Sequence, residues 1–213
     1  KLATGQAELK TVEITTFRLE GKYTDKRHPD EIKFAKTIEE DLARRDFTIN
    51  AMAMKIPALK SYEVVDPFNG RVDLENKLIR TVGNPKDRFN EDALRLVRAV
   101  RFAAELGFAI EKETGKAIKN QAGLLEMIAK ERIRDELIKI VMAGGAAEGV
   151  IQLEDLGLLR YIMPELREGI GVGQNKHHIY TVFDHNLRAL DYAAKKDYSL
   201  EVRLASLLHD VGK

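Results

Sequence analysis

The sequence predicts an α+β fold in which a mixed front part leads into an all-helical remainder. Three observations carry this. Two β-rich stretches, residues 11–19 (TVEITTFRL) and 61–66 (SYEVVD), lie early in the chain and fit strands. Everything past Pro85 shows helical periodicity broken by glycines. The third is residues 90–106, NEDALRLVRAVRFAAEL, which read as one helix with Asn90 as cap, Glu91 and Asp92 in the first turn and Gly107 as stop. Between Ala93 and Ala104 only Arg95, Arg98 and Arg101 are polar. Such a narrow line of guanidinium groups either snorkels to water or meets anions and hydrogen-bond acceptors.

Composition bounds the rest. The chain has 213 residues, enough for one large or two small cores. Its 44% hydrophobic and 32% charged content is that of a soluble globular protein. No apolar run is long enough to span a bilayer and no signal-peptide pattern occurs, so no membrane partner is expected. The absence of cysteine excludes disulfides and thiolate metal sites and fits a reducing compartment. A net charge of +1 means that any nucleic-acid site rests on local clusters. The chain begins at Lys1 and stops just after HDVG, and it reads as an excerpt of a longer polypeptide.

In chain order, the strand at 11–19 places Glu13 and Thr15 on one face and Val12 and Ile14 on the other. GKYTDKRHPDEIKFAK follows as a loop. Thr37 with Glu40 offers a capping box for a helix over TIEEDLARRDFTINAMAM. On that helix Ile38, Leu42, Arg45, Ile49 and Met52 form one stripe, so Arg45 falls at a core-facing position. Either Asp41, one turn back, neutralises it, or it meets a phosphate or sugar through an opening. Asp46 and Asn50 make a second polar pair one turn apart. Asn69-Gly70 signals a turn. Helices are expected over EKETGKAIKN, LLEMIAKERIRDELIKIVM and AAEGVIQLEDLGLLRYI, then, past the linker REGIGVGQNK, over YTVFDHNLRALDYAAKK and SLEVRLASLLHD. The charges from Lys116 onward mix both signs and read as solvated faces, although they could also track RNA phosphates.

DLARRDFTINAMA, DPFNGRVDLENKLIRTVGNP and FNEDALRLVRAVRFAAELGF, preceded by VEITTFR and YTDKRHPD, resemble in order and spacing the motifs of bacterial class II tRNA nucleotidyltransferases and poly(A) polymerases. The tail HHIYTVFDHNLRAL…LLHDVGK resembles the start of an HD phosphohydrolase domain. The resemblance implies a partial polymerase-β-like head at 1–83, neck and nucleotide-reading helices at 84–141, a helical body and linker at 142–175, and the start of an HD domain at 176–213. It implies addition or repair of the tRNA 3′-CCA end from CTP and ATP, with Mg2+, in the cytoplasm. Positions matching Arg45, Asp92, Arg95, Arg98 and Arg101 bind the incoming nucleotide in that family. Asp46 and Asn50 join them here as candidates.

The chemistry of selection agrees. Cytosine and adenine present an amino donor beside a ring-nitrogen acceptor, and guanine and uracil reverse that order. A carboxylate beside a guanidinium is the complement, and Asp92 and Arg95, three apart on one helical face, can meet one base edge. One departure stands out. The family's Asp-x-Asp metal pair occurs nowhere in the chain, and its one Gly-Gly, Gly144-Gly145, lies in the helical part. Glu13 is either an additional head carboxylate or a solvent-facing strand residue. In the tail, His185, His209 and Asp210 supply part of a divalent-metal site, while His177 and His178 read as surface residues. Competing expectations are a CC-adding, A-adding or poly(A)-polymerising member, an HD phosphohydrolase, and a protein that only binds RNA.

Overall fold

In the computed structural model of the chain, the described residues are 15–20, 32–58, 61–173 and 179–213. Glu13, His177, His178 and the YTDKRHPD segment lie outside them. The front part carries two small antiparallel sheets. Strand β1 (Arg18–Glu20) pairs with β2 (Ile32–Phe34), and β3 (Ala53–Ala58) forms a hairpin with β4 (Ser61–Val65). The remainder is helical, as the sequence predicts, with one exception. β5 (Leu78–Ile79) pairs in parallel with β6 (Ala109–Ile110), a strand beyond Pro85.

The capping box forms as expected, and its helix does not run on. The Thr37 hydroxyl accepts from Glu40 N–H at 3.3 Å and Glu40 Oε2 accepts from Thr37 N–H at 3.3 Å, starting α1 (Ile38–Ala43). After Arg44 the chain leaves the helix, because Phe47 is drawn into the core. It is fully buried and extended, bridges Thr81 and meets Phe102 edge-on at 5.6 Å between ring centroids. Phe47 and the β-branched Thr48 and Ile49 also favour strand over helix, so packing and propensity agree against the longer helix. A 3-10 turn (Thr48–Asn50) then leads to β3. The expected stripe from Ile38 to Met52 therefore does not exist, and Arg45 is not core-facing: 44% of its side chain is exposed.

Asp66 takes the first N–H groups of α2 (Gly70–Glu75), accepting from Gly70 at 2.7 Å and Arg71 at 2.9 Å. Asn69, in the left-handed region (φ 58), makes the expected turn just before it. Gly70 is required by proximity, since a Cβ there would lie 2.2 Å from the carbonyl oxygen of Thr48.

The predicted helix over 90–106 is two helices. Asn84 caps α3 (Pro85–Glu91) by accepting from Lys86 N–H at 2.9 Å, with Pro85 in the first turn. The chain is extended at Asp92 (φ −139, ψ 106), and α4 (Leu94–Leu106) begins afresh. Asn90 is not a cap; its amide donates to Lys86 O at 3.0 Å. A polar carboxylate that can accept from Leu94 N–H, at 3.0 Å, stabilises the break.

Helix α4 is the centre of the core. Leu96, Val97, Ala99 and Val100 are wholly buried, and α4 packs on α6 (Lys130–Met142) and α7 (Ala146–Asp155). At Gly149 of α7 an added Cβ would meet Ile140 at 2.7 Å and Ala104 at 3.0 Å, which is how the three helices approach so closely. α5 (Lys112–Gln121) lies on α3, and α8 (Leu159–Ile162) and α9 (Pro164–Arg167) follow α7. In the tail, α10 (Val182–Lys195) packs on α7 and on α11 (Leu200–Leu208), which also touches α6. Arg203 joins these pieces: fully buried, it donates to Val141 O and Ala143 O at 3.1 Å and to Tyr198 O at 2.9 Å.

Candidate functional site

The arginines of α4 do not snorkel. Arg95 and Arg101 are each 8% exposed, and each guanidinium is met by acceptors of this chain. Arg95 donates to Glu91 Oε2 at 2.6 Å, and to Arg88 O and Arg44 O at 3.2 Å. Arg98 donates from Nε and Nη2 to Asp46 Oδ2 at 2.8 and 2.6 Å. Burial alone would depress its pKa, but the Asp46 carboxylate outweighs that and raises it, so the group stays charged. Arg101 donates to Glu136 Oε2 at 2.6 Å and Glu105 Oε2 at 2.7 Å, and lies 3.7 Å over the Phe102 ring.

Several candidate residues come together despite the lost helix. Asp46 receives Arg98, the Asn50 amide at 3.4 Å and the Phe47 N–H at 2.9 Å. The exposed Arg45 reaches Asn50 O at 3.5 Å and Oδ2 of the buried Asp41 at 3.4 Å, so Asp41 does neutralise it. Arg45, Asp46, Asn50 and Arg98 thus make one polar cluster, joined to Arg95 through the neighbouring Arg44 carbonyl.

Asp92 and Arg95 do not share a helical face, because Asp92 sits in the break before α4. The carboxylate accepts from Leu94 N–H, from Arg132 Nη2 at 2.9 Å and from Arg132 Nη1 at 3.4 Å. A carboxylate offers about four lone-pair sites, so one acceptor site remains. Arg95, which makes three hydrogen bonds, likewise keeps N–H groups in reserve.

Arg132 and Glu136 are functional-site neighbours that the sequence reading passed over. The expectation of solvated faces past Lys116 fails at Glu136, which is 3% exposed. The signal lay in the spacing: Ile133, Glu136 and Ile140 form one stripe of α6, with a carboxylate where an apolar residue belongs.

In the tail, one ligand atom from each of His185, His209 and Asp210 falls within 4.8 Å of the others. The two Nε2 atoms are 3.0 Å apart, and His209 Nδ1 is 2.9 Å from Ser206 O. That carbonyl calls for a proton on Nδ1, which leaves His209 Nε2 as a lone pair directed at its partners. Asp210 is buried, and the Lys213 ammonium at 2.6 Å holds its carboxyl below the usual range despite that burial. Two imidazoles and a carboxylate are a donor set that fits a divalent cation.

Residues 1–80 match the poly A polymerase head domain, and residues 107–170 match the probable RNA and SrmB-binding site of polymerase A. The CCA-adding enzyme of Ligilactobacillus salivarius (strain UCC118) is 48% identical over 149 residues, which are 70% of this chain and 36% of that protein. The chain carries a poly A polymerase head domain and is homologous to CCA-adding enzymes over 70% of its length. Among solved structures, the Bacillus stearothermophilus CCA-adding enzyme in complex with CTP superposes with a TM-score of 0.61 at 42% identity, over 70% of this chain and 34% of that one. A tRNA nucleotidyltransferase complexed with a primer tRNA and an incoming ATP analog gives 0.62 at 29% identity, over 81% and 49%. The chain therefore spans about a third of the length of the curated relatives it matches.

Proposed function

We propose that this chain is the nucleotide-reading part of a tRNA nucleotidyltransferase that adds or repairs the 3′-CCA end from CTP and ATP. The observation that carries the reading is the spare hydrogen-bonding capacity at the start of α4: one acceptor site on Asp92 and unused donors on Arg95. Those are what an amino group and an adjacent ring nitrogen require, and a wrong base would leave them unpaired. Arg45, Asp46, Asn50, Arg98 and Arg101 hold base, sugar or triphosphate. Names in the family point the same way, with a relative solved with CTP and another with primer tRNA and an ATP analog. The division at residues 83, 141 and 175 and a cytoplasmic location belong to this proposal.

Nucleotidyl transfer in the family draws on divalent metal, and Mg2+ is the ion proposed here. This chain holds no Asp-x-Asp pair for it, and Glu13 lies outside the described residues.

Asp92→Ala in the full-length polypeptide tests the reading. It is expected to lower incorporation of both CTP and ATP and to shift the CTP:UTP ratio by roughly five- to 150-fold. An Asp92 that only caps α4 predicts about 0.5–2 kcal/mol of lost stability and an unchanged ratio. Single-nucleotide incorporation on a folded mutant decides.

A second reading is favoured by the tail cluster. His185, His209 and Asp210 would hold a divalent metal, which when bound supplies an activated water for phosphoester hydrolysis. Lys213 would yield Asp210 Oδ1 to the ion, and Ser206 O would keep His209 in the ligating tautomer. Titration of the chain with Mn2+, with His209→Ala as control, tests it.

A further inference from the structure

Beside the His185, His209 and Asp210 cluster lies a hollow that nothing above uses. It is lined by residues of α7, α10 and the turn before α10, and its volume is about 460 Å³. Pockets for small organic ligands run from about 300 to 1,000 Å³. Ala147, Ile151 and Leu187 give it an apolar lining, which the Tyr180 ring joins. Asp184 and Arg188 line it too, one residue before His185 and three after it on α10. Residues three apart are neighbours on a helix surface, so the hollow begins next to the candidate metal ligands.

Arg188 is exposed, and its guanidinium lies over the Tyr180 ring, 3.9 Å from the centroid. The described residues offer it no hydrogen bond or ion pair. A guanidinium stacked on a ring keeps its N–H edge free, and that edge matches two oxygens of a phosphate. The other charges of the hollow are acidic: Glu148, Asp184 and Asp191. Asp184 Oδ2 accepts from the Thr181 hydroxyl at 2.8 Å, and Asp191 Oδ2 from Lys195 at 2.7 Å. Each carboxylate keeps further acceptor sites, which suit hydroxyl and amino groups and repel phosphate.

We propose that this hollow binds a nucleoside monophosphate. Its phosphate lies between Arg188 and the metal cluster, and its hydroxyl- and amino-bearing part lies inside, against Tyr180 and the carboxylates. This rests on the reading of His185, His209 and Asp210 as a divalent-metal site. The charge pattern sets size as well as orientation. An RNA strand running into the hollow would bring its next phosphate against three carboxylates, so a mononucleotide is preferred.

The test is calorimetric titration of the full-length polypeptide with Mn2+, then with a hydrolysis-resistant phosphonate analogue of AMP. Arg188→Ala is expected to weaken the analogue roughly ten- to 150-fold, as loss of hydrogen bonds to a charged group does. Tyr180→Ala should weaken it as well, and neither variant should weaken Mn2+. Analogue taken up at the arginines of α4 would not respond to these two substitutions, which separates the sites. If Mn2+ binds and both variants hold the analogue as the unmodified protein does, the pocket is overturned while the metal reading stands. If Mn2+ does not bind, the metal reading fails and this proposal fails with it. An equal, Arg188-dependent affinity for a 5′-phosphorylated tri-adenylate would overturn the preference for a mononucleotide. Should the alanine variant not fold, Arg188→Lys, which keeps charge without the fork, decides: an affinity equal to that of the unmodified protein overturns the proposal.

Discussion

Asp41 shows how single groups hold the front part to the site. It is buried, yet it accepts from Arg44 Nε at 3.0 Å and Nη2 at 2.8 Å, from Arg18 N–H at 3.0 Å and from Arg45. Burial alone would raise its pKa, but the Arg44 and Arg18 hydrogen bonds and the two guanidinium charges pull it below the usual carboxylate value. A depressed folded pKa stabilises the protein above the unfolded value, about 3.9, and that contribution is lost as pH falls through the folded value. Asp41→Asn is therefore expected to cost about 1–3 kcal/mol at neutral pH, with the gap to the unmodified protein closing below about pH 4. Urea unfolding at both pH values checks this, and an equal gap at pH 7 and pH 3 would refute it. Residue identities of this kind are only partly legible in a sequence. The line Arg95, Arg98, Arg101 stands out because charge breaks an apolar run. Its partners do not, since Asp46 and Glu136 come from other elements and meet it only by folding.

Elements were legible wherever local chemistry and tertiary packing agree. The Thr37–Glu40 box, the SYEVV strand and the stop at Gly107 all form. Misreadings came where one periodicity was carried through a residue with a stronger commitment. Phe47 leaves its helix to enter the core, and Asp92 splits another by accepting a backbone N–H instead of continuing the turn. The second error mattered for the site, because a continuous helix would have put Asp92 and Arg95 on one face. Helix α2 supports the 3-10 turn that carries Asn50: Thr48 donates to Asp73 at 2.7 Å, and Gly70 lies against the Thr48 carbonyl. Gly70→Ala puts a methyl 2.2 Å from that oxygen, and a backbone atom cannot swing aside as a side chain can. The expected cost is about 1–3 kcal/mol, read as a lower unfolding midpoint. An unchanged midpoint would show that the two elements are not packed this way.

At the scale of the whole molecule, one hydrophobic cluster runs from Phe47 to Leu207, so the polar cluster around α4 and the His185–His209–Asp210 cluster of the tail are built on the same core. Sharing a core does not make them one site. The link between α11 and α6 is Arg203, whose donors satisfy carbonyls at the ends of α6 and α10. Removing that side chain would leave several buried acceptors unpaired. His209 is different. It stands at the end of α11 with 38% of its side chain exposed, and its partners are His185, Asp210 and the Ser206 carbonyl. Among the described residues, no hydrogen bond or ion pair joins His209, Asp210 or Ser206 to Asp46, Asp92 or the arginines of α4. His209→Ala is therefore expected to weaken Mn2+ binding by tenfold or more, roughly the loss of one ligand's orientation at such a site, and to abolish any phosphohydrolase activity. The unfolding midpoint should move little, because the histidine fills no part of the core. In the full-length polypeptide, CCA addition should persist at a rate close to that of the unmodified protein. Calorimetric titration with Mn2+ reads the first effect and single-nucleotide incorporation the last. Loss of nucleotide addition in a folded His209→Ala protein would mean that the core transmits the state of the tail to α4, and the two sites would then have to be treated as one.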